Sequence, residues 1–406
     1  MTSRLHDTRE LPPLTMTSHT GDTLAHAARD KNTKKLGEFL IVDVDAHVSE
    51  LAFWNEVTDR IPDEVWRYNA KSFQERGAPG LINIQSGLTY QGVCGRIPHN
   101  EKLGEAVEDK GIHKQAVLAR RAMDAMGIDI MTVFPTPMLV LGVHPQPEVE
   151  VQLGRAYNQW LTEVVLPQDP GLRGLLYIPF NTPEACPAII EEFGDRKGVI
   201  GFTVTSTRYR PVHHNSYMRM YAMLEERGLP LAFHAGFNWE DGSMGQLNRF
   251  LSMHALSFVH CNLIHMTNWV VNGLPERFPK LKTVWVESGL AWIPYLMQRL
   301  DSEYMMRTSE APLLKRKPSE YMREMYYTSQ PIELQHLKLV EATFEAINAD
   351  TQLLYASDWP HWDFDTPSTI YDLPFLNEKQ KRNILGGNAA RLFNLKDPYQ
   401  AKAAAE

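Results

Sequence analysis

The chain has 406 residues, of which 43% are hydrophobic and 22% are charged, as is ordinary for a globular protein with a sizeable core. Its formal net charge of -8 gives no support for a nucleic-acid or anionic-membrane partner. The three cysteines, Cys94, Cys186 and Cys261, lie far apart and form no CxxC pair, so they indicate neither a disulfide framework nor a thiolate zinc site.

The N-terminal residues 1–36 are polar and rich in turn-forming residues, so we expect them to form an arm outside the core. This segment lacks the apolar centre of a signal peptide, and the chain contains no apolar run long enough to span a bilayer. We therefore expect a cytoplasmic protein that does not enter the membrane.

Eight short runs rich in β-branched and aromatic residues follow the arm, and most are apolar throughout, as is typical of strands buried on both faces. In chain order they read FLIVDV, GIDIMTVFP, RGLLYIP, GVIGFTVT, LPLAFHAG, LKTVWVESG, MYYTSQP and QLLYASD. Helical patterns lie between them, at residues 112–126, 148–165, 183–193, 217–227 and 333–347. This alternation predicts an α/β fold with a parallel sheet, and eight strand–helix units favour a (β/α)8 barrel over an open sheet. No GxGxxG follows the first strand, which weakens the dinucleotide-binding alternative.

The predicted barrel occupies residues 37–396, followed by a short tail at 397–406. Residues 48–111 are too many for a simple connection from the first strand to its helix. We interpret them as an insertion on the face where such barrels carry their active sites, and a loop of this length is usually a lid or functional in another way.

Carboxylates and imidazoles stand at the ends of three predicted strands. Asp45 and His47 end the first strand, His234 the fifth and Asp358 the eighth. Alternation along a strand places Asp43, Asp45 and His47 on one face, and strand ends converge at one mouth of a barrel. Nitrogen and oxygen donors together suit Zn²⁺, Mn²⁺ or Fe²⁺, with an open position for water. Taken singly, a strand-end Asp or His is usually a cap or a satisfied polar group, and it is the joint placement at three strand ends that favours a metal site.

Four segments carry a resemblance to a known family. They are DAHVSE, LAFHAG, GLPERFPKLKTVWVESGLAWIPYLMQRLDSEY and LLYASDWPHWD. Together they resemble the amidohydrolase superfamily, and in particular the branch with aminocarboxymuconate-semialdehyde decarboxylase and the resorcylate-type decarboxylases. The likeness runs from about Phe39 to Leu395.

The resemblance implies a distorted (β/α)8 barrel that binds one divalent ion, with Zn²⁺ expected first and Mn²⁺ or Fe²⁺ as alternatives. It implies Asp45, His47, His234 and Asp358 as the ligands. Asp43 is then a buried structural carboxylate, unless its place is exchanged with that of Asp45. We also expect a small carboxylated substrate and a homo-oligomer, either a dimer or a tetramer.

One position departs from the branch. Its decarboxylases commonly carry a histidine at the end of strand six that helps to protonate the substrate carbon, whereas this chain has Glu287 in VWVESG. A buried glutamate with a raised pKa could serve as the acid–base group, and it could equally be structural. His260 is a candidate replacement, with a core histidine as its alternative. Asp358 is the further catalytic candidate, as the group that accepts a proton from metal-bound water.

Five further residues are candidates for substrate contact. Arg208 and Arg210 follow the fourth strand and could pair with a carboxylate, although exposed loop arginines are common. Trp239 and Trp359 flank predicted ligands and could form pocket walls, and His361 follows Asp358 closely.

These observations favour a carboxy-lyase that acts on a small aromatic or unsaturated carboxylate. A metal-hydroxide hydrolase of an amide, ester, lactone or carbon–carbon bond is the alternative, and Glu287 favours it. A non-catalytic binding barrel is the third interpretation, and the intact set of ligand positions argues against it.

Overall fold

The computed structural model describes residues 20–75, 111–205, 210–236 and 241–399, together with residues 11, 13–15 and 18. The eight strands β1 to β8 all pair in parallel, in sequential order around one sheet. They span Val42–Val48, Ile130–Pro135, Leu172–Tyr177, Val199–Val204, Leu231–His234, Thr283–Val286, Tyr326–Thr328 and Leu353–Leu354. Six lie within the predicted runs, while β1 continues four residues past its run and β3 begins one residue before its run. The predicted (β/α)8 barrel is confirmed.

Helices connect and surround the strands. They span Thr20–Thr33, Trp54–Thr58, Glu64–Glu75, Lys114–Met126, Pro147–Trp160, Cys186–Phe193, Met218–Arg227, Phe250–Val271, Leu274–Arg277, Trp292–Met306, Pro318–Met322, Leu337–Ala346, Ala349–Gln352, Ser368–Tyr371, Glu378–Arg382 and Asn388–Leu392. Two of them end at glycines in the left-handed conformation, Gly127 (φ 80°) and Gly228 (φ 64°), which turn the chain toward β2 and β5. In the described part of the chain, none of these helices has the length and apolar composition that a bilayer crossing needs.

The barrel closes between β1 and the segment that follows β8. The backbone N–H groups of Val44 and His47 donate to the carbonyls of Tyr355 and Trp359, at 2.9 and 2.7 Å. In the opposite direction, the N–H of Asp358 donates to the carbonyl of Asp45 at 2.6 Å. The bonds that close the barrel therefore also fix the backbone of three predicted metal ligands.

A β-bulge in β1 changes the face on which the acidic residues lie. Asp43 pairs with Met131 and His47 pairs with Phe134, so β1 contains one residue more than β2 between these two pairs. Met131 belongs to the cluster that packs the sheet against the helices, and Phe134 to the cluster inside the barrel. The expectation that Asp43 shares a face with His47 is therefore wrong, because the extra residue reverses the alternation.

Residues 20–36 pack against the barrel. Lys31 Nζ donates to the carbonyl of Asp124 at 2.8 Å, and Lys34 forms an ion pair of 2.6 Å with Asp372. Ala27 and Leu36 are buried in the main hydrophobic core. The division of the chain at residue 36 remains a prediction. Most of the predicted insertion at 48–111 lies outside the described residues, which resume at Gly111 after helix Glu64–Glu75.

Gly386 provides a test of the packing beneath β1. It lies in the turn Asn383–Gly387, where an added Cβ would overlap the carbonyl oxygen of Leu40. We expect Gly386→Ala to destabilise the protein by about 1–3 kcal/mol, because backbone atoms must move to make room. Thermal unfolding followed by circular dichroism measures the effect. Gly21→Ala is the matched control, since no atom of the described residues lies within 4 Å of its added Cβ. Equal melting temperatures for the two variants would contradict this packing.

Candidate metal centre

The carboxyl ends of four strand segments bring five predicted site residues together. Asp45 and His47 lie in β1 and His234 ends β5. Glu287 follows β6, and Asp358 lies in the segment after β8 that closes the barrel. All five side chains are buried.

The ligand-type atoms of this cluster lie close to one another around His47 and His234. Their Nε2 atoms are 3.4 Å apart. His47 Nε2 lies 3.5 Å from Asp45 Oδ1 and 3.2 Å from Asp358 Oδ1. His234 Nε2 lies 3.4 Å from Asp45 Oδ1 and 3.2 Å from Glu287 Oε2.

Backbone carbonyls determine which nitrogen of each histidine faces the cluster. His47 Nδ1 lies 2.8 Å from the carbonyl oxygen of Pro135, and His234 Nδ1 lies 2.9 Å from that of Ala235. A carbonyl can only accept, so Nδ1 carries the hydrogen in both rings. Nε2 is then the atom of each imidazole that is available to an ion.

The cluster concentrates negative charge in a buried space. Burial, together with the charges of Asp358 and Asp45, raises the pKa of Glu287 well above its usual value. Burial alone would lower the pKa of His47, but Asp358 and Asp45 raise it to about 10. Burial would raise the pKa of Asp358, yet His361 and His47 hold it well below its usual range. The carboxylates thus attract positive charge into the cluster, either as protons or as a cation.

A divalent ion fits these residues. Both carboxylate oxygens of Asp45, Oε2 of Glu287 and Oδ2 of Asp358 are buried, and within the described ranges no donor forms a hydrogen bond with them. Two ligands about 2.1 Å from one ion and roughly 90–110° apart lie about 3.0–3.4 Å from each other. Three of the four spacings between the imidazole nitrogens and the nearest carboxylate oxygens, 3.2, 3.2 and 3.4 Å, lie in that range, and the fourth, 3.5 Å, is just above it.

The backbone is strained at two of these positions. Glu287 (φ 46°) and Asp358 (φ 61°) both adopt the left-handed conformation that is uncommon for residues other than glycine. Such a conformation costs on the order of 1–3 kcal/mol and persists where the surrounding structure holds it. At Glu287 the N–H lies 3.1 Å from Thr328 Oγ1 and donates to it.

His361 belongs to a hydrogen-bonded chain that the sequence revealed only in part. Its Nδ1 lies 2.6 Å from Asp358 Oδ1, and its Nε2 lies 3.3 Å from Thr136 Oγ1. Thr136 N in turn donates to Glu50 Oε2 at 3.0 Å, and Met138 N donates to Glu50 Oε1 at 2.8 Å. The sequence analysis missed Thr136 and Glu50, although Glu50 ends the DAHVSE segment. These contacts fix the ring of His361 against Asp358.

His254 is a second residue that the sequence analysis missed. It lies in helix Phe250–Val271, and its ring centroid lies 5.5 Å from that of Trp362 and 5.2 Å from that of Phe250. Burial lowers the pKa of His254, and the charge of Asp358 opposes that shift, which places the imidazole within the electrostatic field of the cluster. A helix histidine among apolar residues gives no signal in the sequence that separates this position from His260 or His265.

The other residues predicted for the site either contribute no side-chain atom to the cluster or lie outside the described residues. His260 Nε2 is 2.7 Å from Ser243 Oγ, so this ring bonds to a loop serine. Trp359 is buried and its carbonyl accepts from His47 in the barrel closure. Arg210 is half-buried beyond β4. Arg208 and Trp239 fall outside the described residues.

Comparison with known proteins agrees with this geometry. A family model described as "Amidohydrolase" matches residues 42–395. The chain is 24% identical to gamma-resorcylate decarboxylase from Polaromonas sp. (strain JS666 / ATCC BAA-500) over 285 residues, which cover 68% of this chain and 86% of that protein. It is 22% identical to gamma-resorcylate decarboxylase from Rhizobium sp. (strain MTP-10005), over the same shares of the two chains.

Solved structures with the same fold include 5-carboxyvanillate decarboxylase from Sphingomonas paucimobilis. That structure has a TM-score of 0.62 and 20% identity, and the match covers 88% of this chain and 99% of that one. Dihydroxybenzoic acid decarboxylase from Polaromonas sp. JS666, with bound manganese and the inhibitor 2-nitroresorcinol, has a TM-score of 0.60 and 19% identity, with 88% and 97% covered. Since the family model spans nearly the whole barrel, the chain belongs to the amidohydrolase family, in the branch that contains these decarboxylases.

Proposed function

We propose that this protein is a metal-dependent carboxy-lyase that removes CO2, without oxidation, from a small aromatic or unsaturated carboxylate. The observation that carries this proposal is the buried cluster of carboxylates and imidazoles at the mouth of an amidohydrolase barrel. The names of its relatives supply the reaction class, since the curated proteins that the chain resembles are gamma-resorcylate decarboxylases.

Asp45, His47, His234 and Asp358 are the residues that we assign to hold the ion. A divalent ion at this position polarises a substrate oxygen and stabilises the negative charge that develops there. Zn²⁺, which the sequence favours, suits imidazole ligands, while the number of carboxylates in the cluster adds weight to Mn²⁺. Manganese is also the ion named in one of the similar solved structures.

Asp358 and His361 are the residues to which we assign transfer of the proton that decarboxylation requires. A proton must be added to the carbon that bears the carboxylate, after which the carbon–carbon bond breaks and its electron pair stays with the substrate as CO2 leaves. We assign transfer of that proton to Asp358, which is ionised at rest and takes the proton up from His361 in the step itself; its Oδ2 has no hydrogen-bond donor in the described ranges. His361 Nδ1, 2.6 Å from Asp358 Oδ1, holds the carboxyl group in place and replenishes its proton.

Arg210 is the residue that we assign to the substrate carboxylate. Its Nη1 is buried and, among the described residues, forms no hydrogen bond. The hydroxyl of Tyr217 is also buried and has no hydrogen-bond partner among the described residues. The charge of Arg210 lowers the pKa of Tyr217 against the rise caused by burial. Tyr217 stacks on Phe180, which follows β3, with ring centroids 3.8 Å apart. A guanidinium and a phenol beyond the ends of β3 and β4 suit an oxygen-rich anion.

A homo-oligomer, either a dimer or a tetramer, is the assembly that we propose. Helix Trp292–Met306 exposes Tyr295, Met305 and Met306, each with at least 60% of its surface accessible. Such an apolar surface is typical of a contact between protein chains. A cytoplasmic location is part of the same proposal.

The reaction class is tested with purified protein loaded separately with Mn²⁺ and Zn²⁺, against a panel of hydroxybenzoates, muconates and lactones. We expect CO2 in amounts equal to the decarboxylated product from at least one carboxylate in the panel. Hydrolysis of a lactone without CO2 release from any substrate would contradict the carboxy-lyase and favour the hydrolase.

The ligand assignment predicts the effect of removing either His234 or Asp358. We expect His234→Ala and Asp358→Ala to weaken metal binding by more than about 100-fold, because loss of an outer-shell partner alone costs about 10- to 100-fold. CO2 release should fall with metal content, while circular dichroism shows a folded barrel. His336→Ala, at an exposed histidine away from the cluster, is the control. Full metal content in either ligand variant would remove that residue from the set.

The proposed role of Arg210 predicts a defect in substrate binding. A hydrogen bond to a charged group is worth about 1.5–3 kcal/mol, so we expect Arg210→Gln to raise KM by about 10- to 100-fold. The value of kcat should change less, because the anchor lies away from the bond that breaks. Arg299→Gln, at an exposed arginine, serves as the control. An unchanged KM in Arg210→Gln would assign the carboxylate to a different group.

A further inference from the structure

We propose that Glu287 is itself a ligand of the ion, so that this chain binds its metal through three carboxylates and two imidazoles. The inference rests on the proposed function in one respect, which is that a divalent ion occupies the cluster. It goes beyond that function because it assigns Glu287, the position at which this sequence departs from the branch it resembles, to the coordination sphere.

The position of the Glu287 carboxylate is that of a neighbouring ligand. Its Oε2 lies 3.2 Å from His234 Nε2 and 3.9 Å from His47 Nε2. The first distance is the spacing of two adjacent ligands about 2.1 Å from one ion, and the second corresponds to a wider angle at the same ion. Glu287 therefore faces both imidazole nitrogens from one side, as a ligand must.

The environment of Glu287 differs from that of the structural carboxylates in this protein. Asp43 accepts from the N–H and hydroxyl of Ser357 at 2.9 and 2.5 Å. Glu50 accepts two backbone N–H groups, and Glu150 accepts the Tyr177 hydroxyl at 2.9 Å. Oε2 of Glu287 is buried and, within the described ranges, accepts none. A buried carboxylate oxygen without a donor must be compensated by a proton or a cation, and beside two imidazole Nε2 atoms at ligand spacing a cation meets that need.

The geometry fits one ion rather than two. The potential ligands form two overlapping groups, and both include Glu287 and His47. Because His47 Nδ1 faces the carbonyl of Pro135 at 2.8 Å, only Nε2 of that ring can bind an ion. A single nitrogen lone pair serves a single ion, so the ion that His47 binds is common to both groups, and Glu287 belongs to both. His361, whose nitrogens contact Asp358 and Thr136, is not counted among the five ligands.

A third carboxylate weakens the preference of the site for Zn²⁺ over Mn²⁺. Five protein ligands exceed the four of a closed tetrahedral zinc site, and carboxylate oxygens suit Mn²⁺ better than they suit softer ions. Zn²⁺ still binds more tightly than Mn²⁺ to most donor sets. We therefore expect the ratio of the Zn²⁺ affinity to the Mn²⁺ affinity to be smaller in the wild type than in a variant without the Glu287 carboxylate.

The test measures metal binding to the full-length protein after its ions have been removed by chelation. Mn²⁺ and Zn²⁺ affinities are determined by competition with a chelator for the wild type, Glu287→Gln and Glu287→Asp. We expect Glu287→Gln to weaken Mn²⁺ binding by at least about 10-fold and Zn²⁺ binding by less. Glu287→Asp, which keeps a carboxylate, should recover part of the Mn²⁺ affinity. Glu150→Gln removes a buried carboxylate outside the cluster and should bind both ions like the wild type.

A spectroscopic measurement gives a second readout that a structural role would not change. Co²⁺ absorbs weakly with five or six ligands and strongly in a tetrahedral site. We expect the Co²⁺ bands of Glu287→Gln to be stronger than those of the wild type and of Glu150→Gln. An unchanged spectrum together with wild-type Mn²⁺ affinity in Glu287→Gln would overturn the inference.

Failure of this inference can be told apart from failure of the proposed function. If Glu287→Gln binds metal like the wild type but loses CO2 release, Glu287 is an acid–base group, and the inference is wrong while the carboxy-lyase stands. If metal binding depends on Glu287 but the wild type releases CO2 from no substrate of the panel, the ligand assignment stands and the reaction class is wrong.

Discussion

The mouth of this barrel depends on the compensation of negative charge. Asp45, Glu287 and Asp358 are buried around two imidazoles, and their mutual repulsion contributes to the raised pKa of Glu287. Each ionised carboxylate taken out of water costs several kcal/mol unless a partner compensates it. Protonation of an imidazole compensates part of that charge, and a divalent cation in contact with all three carboxylates compensates it without a proton on either Nε2. The ion is therefore part of what holds the strand ends together, as well as part of the chemistry.

Barrel closure and site geometry rest on the same contacts. Ser357, beside Asp358, donates its N–H and its hydroxyl to the carboxylate of Asp43 on β1. The N–H of Asp358 donates to the carbonyl of Asp45, so the last ligand is fixed directly against the first. Asp43 contributes no atom to the cluster, yet it links the two segments that carry these ligands. A substitution that loosened this closure would displace ligands before it disrupted the core.

The sequence predicted the strand ends well because buried parallel strands leave a strong local pattern. It placed Asp45, His47, His234 and Asp358 at one mouth. In the structure the first three form one group of potential ligands with Glu287, and Asp358 belongs to a second group that shares His47 and Glu287 with the first. The sequence could not predict the β1 bulge, since the extra residue arises from pairing with β2, which local alternation does not encode. His254, Thr136 and Glu50 were missed for a related reason. Each reaches the site through contacts between distant parts of the chain, and no spacing within one element marks them.

Glu287 stands where the decarboxylases that this sequence resembles commonly carry a histidine. This difference affects substrate binding as well as metal binding. Three ionised carboxylates around a divalent cation leave one negative charge in excess, whereas a neutral histidine at this position would leave none. A carboxylated substrate therefore meets a less favourable potential beside the ion than it would in a site with that histidine. Binding then requires positive charge elsewhere in the pocket, and the half-buried Arg210, which we propose as the anchor of the substrate carboxylate, is the residue that we assign to supply it. The roles of Glu287 and Arg210 are therefore linked, because a more negative metal site makes binding of the substrate carboxylate depend more strongly on Arg210. Loss of Arg210 should consequently harm this enzyme more than loss of a similar arginine would harm a relative with histidine at the end of β6.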